Sequence, residues 1–325
     1  MPQQIRRWIA ILMGAALVVP LLAACGGQPA AQPQGGEPQG TITASGAFAL
    51  YPMMVKWGEE YQKLHPGVQF DISAGGAGKG MTDALGGQVD MGMVSREIRP
   101  EEEKQGAYWV SVVKDAVFPA VNEKNPVLNE LLSQGVSREQ FIDIFITGKI
   151  KTWGEVAGRP EIADAIHVYT RSDAAGAPET WAKYLGNKKQ EDLLGIGVFG
   201  DPGIAEAVAK DPLGIGYNNL GYAFDAASGK PVTGLVVLPV DANDSGQAET
   251  DEVLDTKAKA MQAVASGKYP SPPARALNLV TKGKPSGLAQ DFIVWAMTDG
   301  QKFVDSAGYI PLTPDLLNEG LQKVK

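Results

Sequence analysis

Two arginines, Arg96 and Arg171, each follow directly after a short segment with the character of a β-strand. The planar guanidinium of arginine offers a fixed fork of donors that suits the oxygens of a tetrahedral oxyanion. An exposed salt bridge is the alternative for each arginine. Asp173 lies two residues after Arg171, where it would cap the following helix, brace the arginine, or accept a proton from a protonated oxyanion. These residues indicate an anion-binding site.

Small residues and glycines join a strand-like segment to a helical one at three places, residues 45–51, 74–80 and 172–177. The first N–H groups of a helix lack acceptors within the helix, and the helix dipole adds positive charge at that end. For any one loop, a tight turn is sufficient reason for the glycine. Three such loops beside two arginines predict one shared site. Its candidate ligand-binding residues are Ala47, Phe48, Ala49, Gly76, Ala77, Ser95, Arg96, Arg171, Asp173, Ala175, Gly176 and Ala177.

The elements that must position these residues alternate along residues 41–325. Strand-like TITAS, VQFDIS and VDMGMVS are separated by helical patterns such as PMMVKWGEEYQKL. This alternation predicts an α/β fold with mainly parallel strands, whose carboxyl ends share one edge of a sheet. The length predicts two lobes, at roughly 100 to 200 residues per domain. The formal net charge of −8 argues against a nucleic-acid partner, because phosphates require a basic surface.

The amino terminus has the layout of a secretion signal. Arg6 and Arg7 precede an apolar run at residues 8–22, which is too short for a stable transmembrane helix, and LAAC ends in Cys25, the only cysteine. We expect a lipoprotein signal peptide at 1–24, a lipid anchor on Cys25 and a flexible linker at 25–40, rich in Gly, Pro and Gln. An ordinary signal with an incidental cysteine is the alternative. The expected location is extracytoplasmic.

The acidic segment DANDSGQAETDE, residues 241–252, has the spacing of a twelve-residue calcium loop. A plain acidic surface loop is the alternative, since the segment follows a strand-like run and not a helix. No other cofactor is expected, and no catalytic pair of residues is evident. The two histidines lie too far apart in sequence to resemble a zinc site. The candidate calcium ligands are Asp241, Asn243, Ser245, Gln247, Glu249 and Glu252.

Several segments together resemble the PstS family, the phosphate-binding lipoproteins of ABC importers within the type II periplasmic binding proteins. They include SAGGAGKGMTDALGGQVDMGMVSREI, FITGKIKTWGEV, RSDAAGAPETW and DPLGIGYNNLGYA. The resemblance implies a type II fold with two α/β lobes and flanking helices, joined by a hinge of two crossover strands near 118–122 and 276–281. It implies one lobe from 41–120 and 276–325 and the other from 121–275. It further implies a monomer that is not an enzyme and delivers phosphate to a membrane permease.

The chain departs from the family at its hydroxyl donors. The first loop has Ala47, Phe48 and Ala49, and the arginine loop has Ala175 and Ala177, where the family usually has Ser or Thr. Another oxyanion or small anionic solute is therefore an alternative ligand. A surface scaffold without ligand is the second alternative, and it predicts a closed cleft in which Arg96 and Arg171 pair with carboxylates. The phosphate interpretation instead predicts that both arginines face one cleft from opposite lobes.

Overall fold

A computed structural model describes residues 37–325 of the chain. The predicted signal peptide, Cys25 and most of the predicted linker lie outside the described residues. The linker was predicted to extend to Gly40, which is the first residue of a strand. Among the described residues, none of the helices combines the length and apolar character needed to cross a membrane.

The strands are short except for the fourth and the last. They are β1 (Gly40–Gly46), β2 (Val68–Ala74), β3 (Met91–Val94), β4 (Ala107–Asn122), β5 (Val136–Ser137), β6 (His167–Arg171), β7 (Ile196–Val198), β8 (Gly214–Asn219), β9 (Leu235–Val237), β10 (Val240–Asp241) and β11 (Ala274–Lys282).

The helices mostly follow strands. They are α1 (Tyr51–Leu64), α2 (Ala77–Leu85), α3 (Pro100–Lys104), α4 (Leu128–Gln134), α5 (Arg138–Phe145), α6 (Trp153–Ala157), α7 (Gly176–Tyr184), α8 (Gly200–Lys210), α9 (Leu220–Ala223), α10 (Lys257–Ala265), α11 (Gly287–Met297) and α12 (Pro314–Val324). Ser137 and Thr152 begin α5 and α6 with reciprocal side-chain caps, which satisfy N–H groups that the helix cannot.

One sheet runs through the molecule in the order β2, β1, β3, β11, β4, β8, β6, β7, with β9 also paired to β4. The strands at either end pair in parallel: β1 with β2 and β3, and β6 with β7 and β8. The two central strands, β4 and β11, are antiparallel to each other and to their neighbours. Because β11 pairs with residues 107–116 of β4 and β8 with residues 117–121, β3 and β6 run in opposite directions and point their carboxyl ends toward each other near the middle of β4.

Two hydrophobic cores pack on this sheet, and β4 and β11 pass from one to the other. The first core comes from residues 42–113 and 277–324, and the second from residues 116–274 with Ile310. Aromatic side chains fill both: Trp57 lies fully buried in the first core and Trp181 in the second. The lobe boundaries stay a prediction, and we refer below to the first core and the second core.

Candidate functional site

Each loop that the sequence singled out leads into a helix and carries backbone N–H groups without acceptors. Ala77 begins α2 and Gly176 begins α7, whereas Phe48 and Ala49 lie in the turn that precedes α1. Among the described residues, no acceptor lies within hydrogen-bond reach of the backbone N–H groups of Phe48, Ala49, Ala77, Gly176 and Ala177. The last four of these residues are buried. A buried N–H without a partner is uncommon in folded proteins and is unfavourable by about 1 to 3 kcal/mol. The three loops therefore hold N–H groups that are available to an acceptor.

The loops of the two cores touch one another at this place. The N–H of Gly78 donates to Ala174 O at 3.0 Å. Gly176 lies so close to the end of β3 that a Cβ on it would be 2.2 Å from Ser95 Oγ. A Cβ on Gly200 would lie 3.0 Å from the ring of Phe48. Glycine is required at 176 because a side chain there would meet the backbone of Ser95 and hold the loops apart, and it is favoured at 200 by a φ of +74°.

Arg171 lies at the end of β6 with its guanidinium almost completely buried. Its Nε donates to Asp173 Oδ1 at 2.8 Å and its Nη1 to Asp201 Oδ2 at 2.5 Å. The guanidinium carbon lies 5.3 Å from the centre of the Phe48 ring, a cation–π contact. Burial opposes the charge, but Asp201 and Asp173 outweigh it and raise the pKa of Arg171.

Asp173 braces Arg171, as one of its predicted roles requires. Burial of its carboxyl favours the neutral form, but the hydrogen bonds from Arg171 prevail and hold the pKa of Asp173 below its ordinary value. Its Oδ1 also accepts from the N–H of Gly200 at 3.1 Å, at the start of α8. Asp173 therefore links β6, α8 and the guanidinium.

Arg96 is buried too, but its donors point elsewhere. Nη1 and Nη2 donate to the two oxygens of Glu102 at 2.9 and 2.6 Å, and Nε lies 3.4 Å from Glu179 Oε2. Arg99 and Lys183 extend this group of ion pairs. The described contacts do not join Arg96 to Arg171 or to the unpaired N–H groups. Both arginines are paired with carboxylates, which is the arrangement that the scaffold alternative predicts.

Four polar residues near Arg171, three of them buried and the fourth, Arg275, partly buried, were missed by the sequence analysis. Asn219 Nδ2 donates to Asp201 Oδ1 at 2.5 Å, and Asn219 Oδ1 accepts from Arg275 Nη2. Arg275 Nη1 donates to Asp115 Oδ2 at 3.2 Å. Burial raises the pKa of Asp115 and lowers that of Arg275, because each charged form loses solvation in this place. Asn219 could have been found because it is a polar residue at the end of a strand. Asp115, Asp201 and Arg275 have no such signal in the sequence.

Hydroxyl groups contribute little at the loops. The Oγ of Ser45, at the end of β1, donates to Asp83 at 2.6 Å, and Lys79 pairs with the same carboxylate. Ala47, Ala49, Ala175 and Ala177 are all buried among the loops. The site therefore offers mainly backbone N–H groups and one guanidinium.

The acidic loop brings three of its six predicted ligands together. Carboxylate oxygens of Asp241, Glu249 and Glu252 lie within 4.8 Å of one another. The two Asp241 oxygens accept from the N–H groups of Ser245 and Gly246 at 3.0 and 2.9 Å. Asn243, Ser245 and Gln247 bond within the loop. Calcium binding stays a prediction.

Known proteins resemble this chain over nearly its whole length. A family model described as a PBP superfamily domain matches residues 31–299. Phosphate-binding protein PstS from Methanocaldococcus jannaschii is 28% identical, over 98% of this chain and 96% of the relative. Phosphate-binding protein PstS from Bacillus subtilis is 27% identical, over 84% of this chain and 81% of the relative.

The fold also matches solved structures. A substrate-binding protein from Clostridium perfringens, solved with bound phosphate, superposes with a TM-score of 0.67 and 22% identity, over 84% of this chain and all of that one. The predicted type II α/β fold is therefore confirmed, and so is the resemblance to the PstS family. With most of its length matched by the family model, the chain belongs to the PBP superfamily.

Proposed function

We propose that this protein captures inorganic phosphate outside the cytoplasm and delivers it to the permease of an ABC importer. It would work as a monomer tethered through Cys25, and it would bind phosphate without covalent chemistry. The names of its relatives support this proposal. The single observation that carries it is the contact, beside Arg171, between three loops that carry unpaired backbone N–H groups.

Backbone N–H groups are suited to a compact anion. A phosphate ion presents four oxygens, and hydrogen bonds to a charged acceptor contribute about 1.5 to 3 kcal/mol each. The helix dipoles add favourable charge at the same place. Binding would therefore replace unsatisfied donors with satisfied ones.

The carboxylates around Arg171 bear on which anion fits. Asp173 and Asp201 both lie on the guanidinium, so a ligand near Arg171 meets negative charge as well as positive. Hydrogen phosphate has a proton to donate to a carboxylate, whereas sulfate at neutral pH has none. We expect phosphate to be preferred over sulfate for this reason.

The scaffold alternative accounts for the paired arginines but not for the N–H groups. Carboxylates satisfy Arg96 and Arg171 without any ligand, as a scaffold would require. The donors of Phe48, Ala77 and Gly176 would then remain unsatisfied in the functional state. Lobe closure around an anion would satisfy these donors, because loops from both cores can bond one anion only when they meet.

Calorimetry of the chain without its signal peptide, titrated with phosphate, sulfate and molybdate, tests the proposal. We expect phosphate to bind, sulfate to bind more weakly, and Arg171→Ala to weaken phosphate about tenfold or more. Arg171→Lys should not restore affinity, because one ammonium cannot bond Asp173 and Asp201 in the geometry of the guanidinium. Arg138→Met, which removes an arginine bonded to Tyr184 O, is the matched control. Tight binding of sulfate alone would favour the oxyanion alternative, and no binding of any anion would favour the scaffold.

A further inference from the structure

Arg275 lies at the centre of the sheet, between the two cores. It is the second residue of β11 and is opposite Asp115 of β4 in the antiparallel ladder. Its side chain is 11% exposed. Because β4 and β11 carry the chain from one core to the other, its guanidinium lies where the cores meet.

The donors of Arg275 reach three different elements. Nε donates to Ser95 O at 3.2 Å, directly after β3 in the first core. Nη1 donates to Asp115 on β4, and Nη2 donates to Asn219 at the end of β8 in the second core. One rigid fork therefore joins the end of a first-core strand to the end of a second-core strand.

Two routes lead from this fork to the anion site. On one side, Asn219 bonds Asp201, whose other oxygen accepts from Arg171 at 2.5 Å. On the other side, Ser95 forms the surface against which Gly176 packs at the start of α7. A shift of Arg275 would therefore be felt both by the guanidinium and by the unpaired N–H groups.

We propose that Arg275 is a positioning residue, which holds the two halves of the anion site in register without touching the anion. This proposal rests on the proposed anion-binding function. Only a guanidinium presents donors in three directions of one plane, so lysine at this position would keep a charge opposite Asp115 but lose the link between Ser95 and Asn219.

The test uses Arg275→Lys, Asn219→Ser, the double variant, and Arg138→Met as control. Affinity for inorganic phosphate is measured by calorimetry, and hydrogen exchange is followed in segments 93–98 and 170–177 without ligand. We expect Arg275→Lys to weaken phosphate about tenfold and to speed exchange in both segments. The double variant should bind phosphate no more weakly than the single variant with the lower affinity, because both changes interrupt the route from Arg275 through Asn219 to Asp201.

Unchanged affinity and exchange in Arg275→Lys would overturn the proposal, and so would additive effects in the double variant. If the unmodified protein binds no phosphate, the proposed function fails, and exchange alone then decides the positioning role. Faster exchange in both segments supports that role, and unchanged exchange refutes it. Should Arg275→Lys fail to fold, Asn219→Ser tests the route through Asp201: weaker phosphate binding and faster exchange in segment 170–177 support the proposal, and no change in either overturns it. The control should behave like the unmodified protein in both measurements.

Discussion

Replacing Gly176 by alanine should separate the two halves of the site while leaving each core intact. A Cβ at this position would lie 2.2 Å from Ser95 Oγ and 2.3 Å from Ser95 O, where ordinary contacts are 3.4 Å or more. The hydroxyl can rotate away, but the carbonyl belongs to the backbone. The start of α7 and the end of β3 must therefore move apart by about 1 Å.

The expected loss follows from the donors that move with α7. Hydrogen bonds weaken steeply beyond about 3.2 Å, so a displacement of this size removes the N–H groups of Gly176 and Ala177 from a bound anion. Two bonds to a charged acceptor are together on the order of 3 to 6 kcal/mol, which is about a hundredfold in affinity or more. The melting temperature should change much less, because the clash is confined to the contact between loops.

Calorimetry with phosphate, together with thermal unfolding followed by circular dichroism, measures both effects. Gly221→Ala is the matched control, since a Cβ on that helical glycine of α9 meets no atom within 4 Å. Phosphate affinity within about threefold of the unmodified protein in Gly176→Ala would refute this account of the site. The loops would then not need their present contact in order to bind.

Three further results are expected. Ala175→Ser with Ala177→Thr should tighten phosphate by roughly 0.5 to 1.5 kcal/mol for each hydroxyl that reaches the ligand, as calorimetry would show; weaker binding would indicate a pocket shaped for another solute. We propose that loop 241–252 binds calcium, so millimolar calcium should raise the melting temperature relative to chelator, and Glu252→Gln should abolish the rise. The folded-state pKa of Asp173 is depressed, so its stabilising effect is present above its unfolded pKa of about 3.9 and is lost as the pH falls. Asp173→Asn should flatten that part of the acid dependence in urea unfolding; an unchanged profile would contradict the assigned ion pair.

The three helix starts were predictable because each depends on a local signal. A strand-like run, a small-residue loop and a helical pattern follow one another within about 20 residues, and the N–H groups at such a junction are free by geometry alone. The structure places Ala77 and Gly176 at the first positions of α2 and α7, and Phe48 in the turn before α1. The unpaired donors thus needed no knowledge of distant partners.

The partners of the arginines were not predictable in the same way. Arg96 and Arg171 have the same local signature, but Glu102 accepts from Arg96 while also capping α3 through the N–H of Arg99 at 2.8 Å. Arg275 lies 180 residues from Ser95 in sequence, and the single chain gives no sign that the two meet. Contacts between residues so distant in sequence depend on the order of β3, β4, β8 and β11 in the sheet, and local sequence patterns do not specify that order.

The two cores differ in how the chain supplies them, and this difference bears on folding. The second core is built almost entirely from one uninterrupted stretch, whereas the first needs residues 42–113 and also residues 277–324. During synthesis the first core therefore cannot close until the last part of the chain has left the ribosome, and joining its distant segments is slow because loop closure is entropically unfavourable. We expect the second core to gain protection first in pulse-labelled hydrogen exchange during refolding, and simultaneous protection of both would contradict this order. The strand β3 would then wait longest for one of its neighbours, because β11 arrives last, between β3 and β4.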